Sequence, residues 1–191
     1  MRSVSADGSD ESTWGRGVLI AMAGLPGSGK STLASRLADT FRGVVLSKDV
    51  VRSALFAPSV LDYSTAQDEI AISAVYEAAR YILTADPGRA VFLDGRTFSK
   101  LGQLDSPLAL AVSLNQRLQV IECVCSDEVA RARLEADHTA GAHLAGNRTP
   151  DMYARVRAAA VPLAVPRLTL DTGALALEDC VSRALAYLSR L

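Results

Sequence analysis

Short apolar runs alternate along this chain with longer stretches whose apolar residues return every three or four positions. Val18 to Ala23, Val44 to Leu46, Ala90 to Leu93, Leu118 to Cys125 and Leu168 to Leu170 have the length and composition of buried strands. Between them, Leu33, Leu37 and Phe41 with Ala34 and Ala38 form an apolar stripe of helical period, and Gly43 stands where that helix should stop. A second helix is expected to open at Ser64 or Thr65, because Ser64 followed by Gln67 has capping-box spacing. It should run through Ile70, Val75, Ala78 and Ile82 to about Ala85, where Asp86, Pro87 and Gly88 break it. Asp127 to Asp137 reads as another helix, and Leu175 to Leu191 as a closing one, with Leu177, Val181, Leu185 and Leu188 at helical spacing. Five strands separated by helices predict an α/β fold, a five-stranded parallel sheet covered on both faces.

The length of 191 residues and the 49% hydrophobic content fit one domain, and no repeat or second domain is visible. Residues 1–16 lack apolar periodicity and are expected to be a flexible polar tail, leaving 17–191 as the single domain. They also lack the cationic segment and apolar core of a secretion signal, and no apolar run reaches the roughly 18 residues of a membrane span. A soluble cytoplasmic protein is expected. The net charge of -1, with only three lysines, makes nucleic acid a less favoured partner than a small molecule. Cys123, Cys125 and Cys180 have no disulfide-framework spacing. The first two lie on one face of an apolar strand, which reads as burial rather than a zinc site, and His138 and His143, five apart, read as loop residues rather than metal ligands.

The chemistry starts immediately after the first strand. Gly24-Leu25-Pro26-Gly27-Ser28-Gly29-Lys30-Ser31 fills the Walker A pattern G-x-x-x-x-G-K-[ST] and leads straight into the Leu33 helix. An accidental match is expected in on the order of one in 500 chains of this composition. Glycines let successive backbone N–H groups turn inward on an anion, and the helix adds its positive end. The phosphate-binding candidates are therefore Gly24, Gly27, Ser28, Gly29, Lys30, Ser31 and Thr32, with Lys30 on the β- and γ-phosphates and the Ser31 hydroxyl on Mg²⁺. No N-K-x-D element is present, so ATP is the expected nucleotide. Asp94 closes an apolar strand before Gly95 and is a candidate magnesium ligand, the alternative being a turn acid.

Asp49 and Arg52 lie three apart after the second strand, at the sheet edge where ligands bind in doubly wound folds. If a helix starts there they share its first turn. The carboxylate would then accept a proton from a substrate hydroxyl; the competing reading is a helix cap with a surface salt bridge. Arg96 and Thr97 follow the third strand on the same edge, and Tyr76 and Tyr81 fall in the long helix as core or groove wall.

Gly24 to Ser31, Ser47 to Arg52 and Val91 to Gly95 together resemble the three sequential motifs of small P-loop kinases. The likeness is strongest to AAA-type ATP-binding domains related to polynucleotide 5′-kinase, with zeta-toxin, gluconate and chloramphenicol phosphotransferases more distant, and it spans roughly Val18 to Leu188. The resemblance implies a P-loop NTPase three-layer sandwich with a small helical lid at about 127–157. It makes Asp49 the general base and Arg52 its substrate-side partner. Arg131 or Arg133 would be the lid arginine at the transferring phosphoryl group. Related lids carry a further arginine where this chain has Asp137, and Arg148 is the candidate substitute. Leu170-Asp171-Thr172-Gly173 resembles the loop bordering adenine. The expected activity is phosphoryl transfer from ATP with Mg²⁺ to a small-molecule hydroxyl. A polynucleotide 5′-hydroxyl is the alternative acceptor, and a nucleotide-dependent switch or binding module the alternative class.

Overall fold

The computed structural model describes residues 17–139 and 150–189. Its elements run β1 (Val18–Ala23), α1 (Lys30–Phe41), β2 (Val44–Ser47), α2 (Lys48–Leu55), α3 (Thr65–Ala85), β3 (Ala90–Asp94), α4 (Asp105–Ser113), β4 (Arg117–Val124), α5 (Asp127–Thr139), α6 (Pro150–Ala158), β5 (Leu168–Asp171) and α7 (Leu177–Leu188). The five strands form one wholly parallel sheet in the order β2-β3-β1-β4-β5, so β1 lies at its centre with β3 and β4 on either side.

The inner strands β1, β3 and β4 show two faces to two separate apolar layers, as the period of two requires, while the edge strand β5 packs on one side only. Ile20, Met22, Phe92, Ile121, Cys123 and Leu170 pack with α1 and α7 on one side. Leu19, Ala21, Val91, Leu93 and Val120 pack with α3 and α4 on the other. The result is the three-layer α/β sandwich expected of the P-loop pattern. Because β1 and β3 are hydrogen-bonded neighbours, and Ser47 of β2 registers with Asp94 of β3, the carboxyl ends of all three strands open on one edge. Everything chemically suggestive in the sequence is gathered there.

Several local expectations need correcting. Gly43 does not supply the left-handed residue that ends α1; Arg42 does, at φ 51°, and the Gly43 N–H closes the turn on the Ala38 carbonyl at 2.8 Å. Gly43 is needed for space: a Cβ there would lie 3.0 Å from both the Ala90 carbonyl oxygen and the Phe92 ring. The Ser64 hydroxyl caps α3 by accepting from Gln67 N–H, but the Gln67 side chain reaches past Ser64 to Asp62 N–H and Val60 O. The capping box is thus opened into a brace for the loop before α3. Tyr81 is 76% exposed rather than core or groove wall, whereas Tyr76 packs against the second apolar layer. α4 was not anticipated, because its apolar residues run round the helix without a stripe. The fourth strand stops at Val124, and Cys125 lies beyond it beside Leu25, Ala130 and Leu134. Among the described residues no helix is long and apolar enough to cross a membrane. The tail, 1–16, lies outside the described residues.

Candidate active site

The loop after β1 passes so close to its neighbours that two of its residues cannot carry a side chain. A Cβ on Gly24, at φ 130°, would lie 2.2 Å from the Cys123 carbonyl oxygen, and one on Gly27, at φ 75°, 2.6 Å from that of Ala130. The loop delivers Lys30 as the first residue of α1, buried, with Nζ donating to Leu25 O at 2.7 Å and Ser28 Oγ at 3.4 Å. The ammonium thus arches over the backbone cradle where phosphate oxygens would sit. Next in the helix, Ser31 Oγ donates to Asp94 Oδ2 at 2.7 Å across the seam between β1 and β3. The other oxygen, Asp94 Oδ1, is buried and accepts no hydrogen bond. A buried carboxylate oxygen without a donor is costly. Beside a hydroxyl oxygen, it is the hard donor set that Mg²⁺ takes up.

Beside this loop lies a cavity of about 550 Å³, lined by Lys30, Ser31 and Thr32 and by Leu175, Leu177 and Cys180. Arg133 of α5 borders it and is held by three bonds: Nη1 to Gly27 O at 3.3 Å and to Thr172 Oγ1 at 3.0 Å, Nη2 to Thr172 O at 2.8 Å. The Thr172 hydroxyl in turn donates to Ser28 O at 3.0 Å. Asp171 is turned away, its Oδ1 accepting from Gly173 and Ala174 N–H within its own turn. Asp137, one turn beyond Arg133, brings a carboxylate to the same cavity. Cys125 approaches Gly27 O at 3.9 Å, and burial pushes its thiol, like that of Cys180, above the ordinary range. The Cys123 thiol, on the strand beneath, is pushed up to about 12 by burial. Among the described residues no cluster of three metal-ligating side chains exists.

A second cavity, of about 300 Å³, opens on the other side of the loop. Its floor is Asp49 and Arg52, on the first turns of α2, at 7% and 3% exposure. That burial excludes a surface salt bridge, and Asp49 lies inside the helix rather than at its cap. Arg52 Nη2 donates to Asp49 Oδ1 at 3.0 Å and its Nη1 to Asp68 Oδ1, while Lys48 Nζ lies 3.5 Å from Asp49 and 3.1 Å from Asp68. Two acids and two bases therefore form a closed square between α2 and α3. Tyr63 stands over it, 4.7 Å from the Arg52 guanidinium carbon, in a left-handed conformation (φ 55°) that is costly for so bulky a residue. Arg96 also lines the cavity and donates to Glu69 at 2.6 Å. Asp68, Glu69 and Tyr63 were not singled out in the sequence. Acids in the first turn of a helix are common enough to be read as balancing its dipole, and nothing in their spacing points to Arg52.

α5 borders the first cavity and α6 the second. Asp127, at the start of α5, accepts from Tyr153 Oη at 2.9 Å and, through its other oxygen, from Arg157 Nη1. Desolvation, then the bond to Asp127, pushes the Tyr153 phenol up to about 12. Arg131 lies over the Tyr153 ring, 5.5 Å from its centroid, and so faces α6 rather than the phosphate loop. Met152 and Val156 of α6 line the second cavity. His138 lies in the last turn of α5 rather than in a loop. Arg148 and His143 lie outside the described residues.

An AAA domain model of the AAA_33 family matches residues 19–149. The chain belongs to that family. The match runs from β1 across the phosphate loop, α2 and β3 through α5, so it contains Lys30, Ser31, Asp49, Arg52, Asp94 and Arg133, while Met152, Val156 and the residues from Thr172 to Cys180 that complete the two cavities lie beyond it. No curated protein matches. Solved structures do: a Chloroflexus aurantiacus protein described as a candidate kinase is 25% identical with a TM-score of 0.70, covering 90% of this chain and 97% of that one. Mycobacterium tuberculosis APS kinase CysC, in complex with AMPPNP and APS, is 18% identical with a TM-score of 0.64, over 91% and 98%. A Sinorhizobium meliloti gluconokinase is 18% identical with a TM-score of 0.61, over 92% and 93%. This AAA_33 chain therefore has the P-loop kinase fold, shared with small-molecule kinases.

Proposed function

We propose that this chain is an ATP- and Mg²⁺-dependent kinase that transfers the γ-phosphate to the hydroxyl of a small molecule. One observation carries the proposal: residues of the phosphate loop line two separate cavities, and a buried carboxylate, Asp49, lines the one that does not contain Lys30 and Ser31. The acceptor cavity, at about 300 Å³, is at the lower end of the range for small-molecule sites.

In this reading the triphosphate lies along Gly27 to Thr32 with the base toward Leu175 and Leu177, and Lys30 holds the β- and γ-oxygens. Ser31 and Asp94 would hold a magnesium ion, which would supply positive charge against the triphosphate. The acceptor hydroxyl enters over Asp49, whose carboxylate takes its proton as the oxygen bonds to the γ-phosphorus and the bond to the β-bridging oxygen breaks, releasing ADP. Lys48 and Arg52 fix the rotamer of Asp49, and Asp68 fixes them. Most of the rate enhancement comes from positioning and preset charge.

Calorimetry with ATP and Mg²⁺ on the folded protein, followed by a screen of hydroxylated metabolites, nucleosides, antibiotics and an oligonucleotide for acceptor-dependent ADP release, tests this. Heat of binding and ADP release dependent on a small acceptor are expected. Release stimulated by the oligonucleotide alone would transfer the reading to a polynucleotide kinase. Stoichiometric binding with no acceptor effect would make the protein a nucleotide-dependent binding module.

A further inference from the structure

The acceptor cavity carries more positive charge than its buried machinery uses. Lys48, Asp49, Arg52 and Asp68 close on one another in a square that is neutral as a whole. The loop after β3 then adds Arg96, Thr97, Lys100 and Gln103 to the lining, and with them two further cations.

Glu69 answers the first of these only in part. Its side chain is 55% exposed, whereas that of Arg96 is 18% exposed, and they meet through a single bond from Arg96 Nη2 at 2.6 Å. The rest of the guanidinium fork, whose spacing matches the paired oxygens of an oxyanion, meets no carboxylate. Lys100 has no acid at all. Among the described residues its ammonium makes no hydrogen bond or ion pair, although it lines the cavity, and its backbone N–H is taken by Gln103 Oε1 at 3.1 Å.

The loop that carries both cations is fixed at several points. Gly24 N–H, in the phosphate loop, donates to Thr97 O at 3.0 Å, and Val161 N–H donates to Ser99 O at 2.7 Å. Phe98, between them, is buried in a left-handed conformation (φ 53°), which a bulky residue keeps only where its surroundings impose it. Arg96 and Lys100 therefore stand on a preset wall.

We propose that the acceptor carries an anionic group beside its hydroxyl, a phosphate, sulfate or carboxylate, and that Arg96 and Lys100 bind that anion. This rests on the kinase reading above and narrows it. A neutral alcohol leaves the surplus charge unbalanced, and a cationic one adds to it. Because Asp49 stays negative until it takes the hydroxyl proton, the anion is held off it, at the end of the acceptor away from the reacting oxygen.

Inorganic phosphate is the probe, titrated by calorimetry into protein saturated with MgAMPPNP so that the phosphate loop is already filled. A single equivalent should bind. Lys100→Gln and Arg96→Gln should each weaken it on the order of 10-fold, with Arg96→Lys keeping part of the affinity. Glu69→Gln should tighten it several-fold by removing the carboxylate that competes for Arg96, a gain that a merely structural pair would not give. In matched acceptors, glycerate against glycerol and a nucleoside 3′-phosphate against its nucleoside, the anionic member of any pair that releases ADP should have the lower KM. Protein that holds MgAMPPNP but binds no phosphate would overturn the inference and leave the kinase reading standing. So would phosphate affinity untouched by both glutamine variants, or a lower KM for the neutral member. Protein that does not bind MgAMPPNP would bring down the kinase reading, and this inference with it.

Discussion

The two cavities beside the phosphate loop are built on opposite principles. On the kinase reading, the phosphate part of the nucleotide side is made of backbone: consecutive residues, glycines held where a Cβ would collide, and a helix end, with one lysine folded over them and the side chains of Arg133, Leu175 and Leu177 beyond. The acceptor side is made of long side chains from α2, α3, α6 and the loop after β3, locked by the square of Lys48, Asp49, Arg52 and Asp68. A backbone cradle suits a ligand whose polyphosphate is always the same. A side-chain wall can change one residue at a time and so suits the half of the reaction that differs between relatives.

If the division is real, damage to the two sides should separate cleanly. Asp49→Asn should lower turnover by about 10² to 10⁴ while leaving ATP affinity nearly unchanged, read by steady-state kinetics alongside calorimetry. Undiminished turnover would remove Asp49 as base. Arg52→Leu should lower turnover as well, through Asp49, and in addition act on the fold. Breaking a buried ion pair costs roughly 3–5 kcal/mol, and because Asp68 is partly exposed and Lys48 remains, a loss of about 3 kcal/mol is expected in urea unfolding. No loss of stability would show the square to be dispensable to the fold. The smallest effect lies at the joint between α5 and α6. The folded Tyr153 phenol is raised above its ordinary value of 10 to about 12, so its contribution is complete below pH 10 and fades as pH climbs toward 12. Thermal stability should therefore fall across that window, and Tyr153→Phe should flatten the fall. An unchanged alkaline slope would mean that Tyr153 is not its source.

The same contrast explains what could be read without the structure. Gly24 to Ser31 are contiguous and chemically constrained, so the loop, its strand and its helix were legible together. The sheet was equally legible, because strands buried on both faces are short, unbroken apolar runs. Asp49 and Arg52 were visible as a pair, but their burial was not, since it depends on α3 folding back to bring Asp68 against them from sixteen residues away. Tyr63 and Glu69 were invisible for the same reason.

Asp127 deserves a last consequence. By holding Tyr153 and Arg157 at once, it fuses the helix whose Arg133 clasps the nucleotide loop to the helix that roofs the acceptor cavity. Joined at that one carboxylate, the two helices share a hydrogen-bonded hinge point, so on the kinase reading a displacement of Arg133 would be felt at Met152 and Val156.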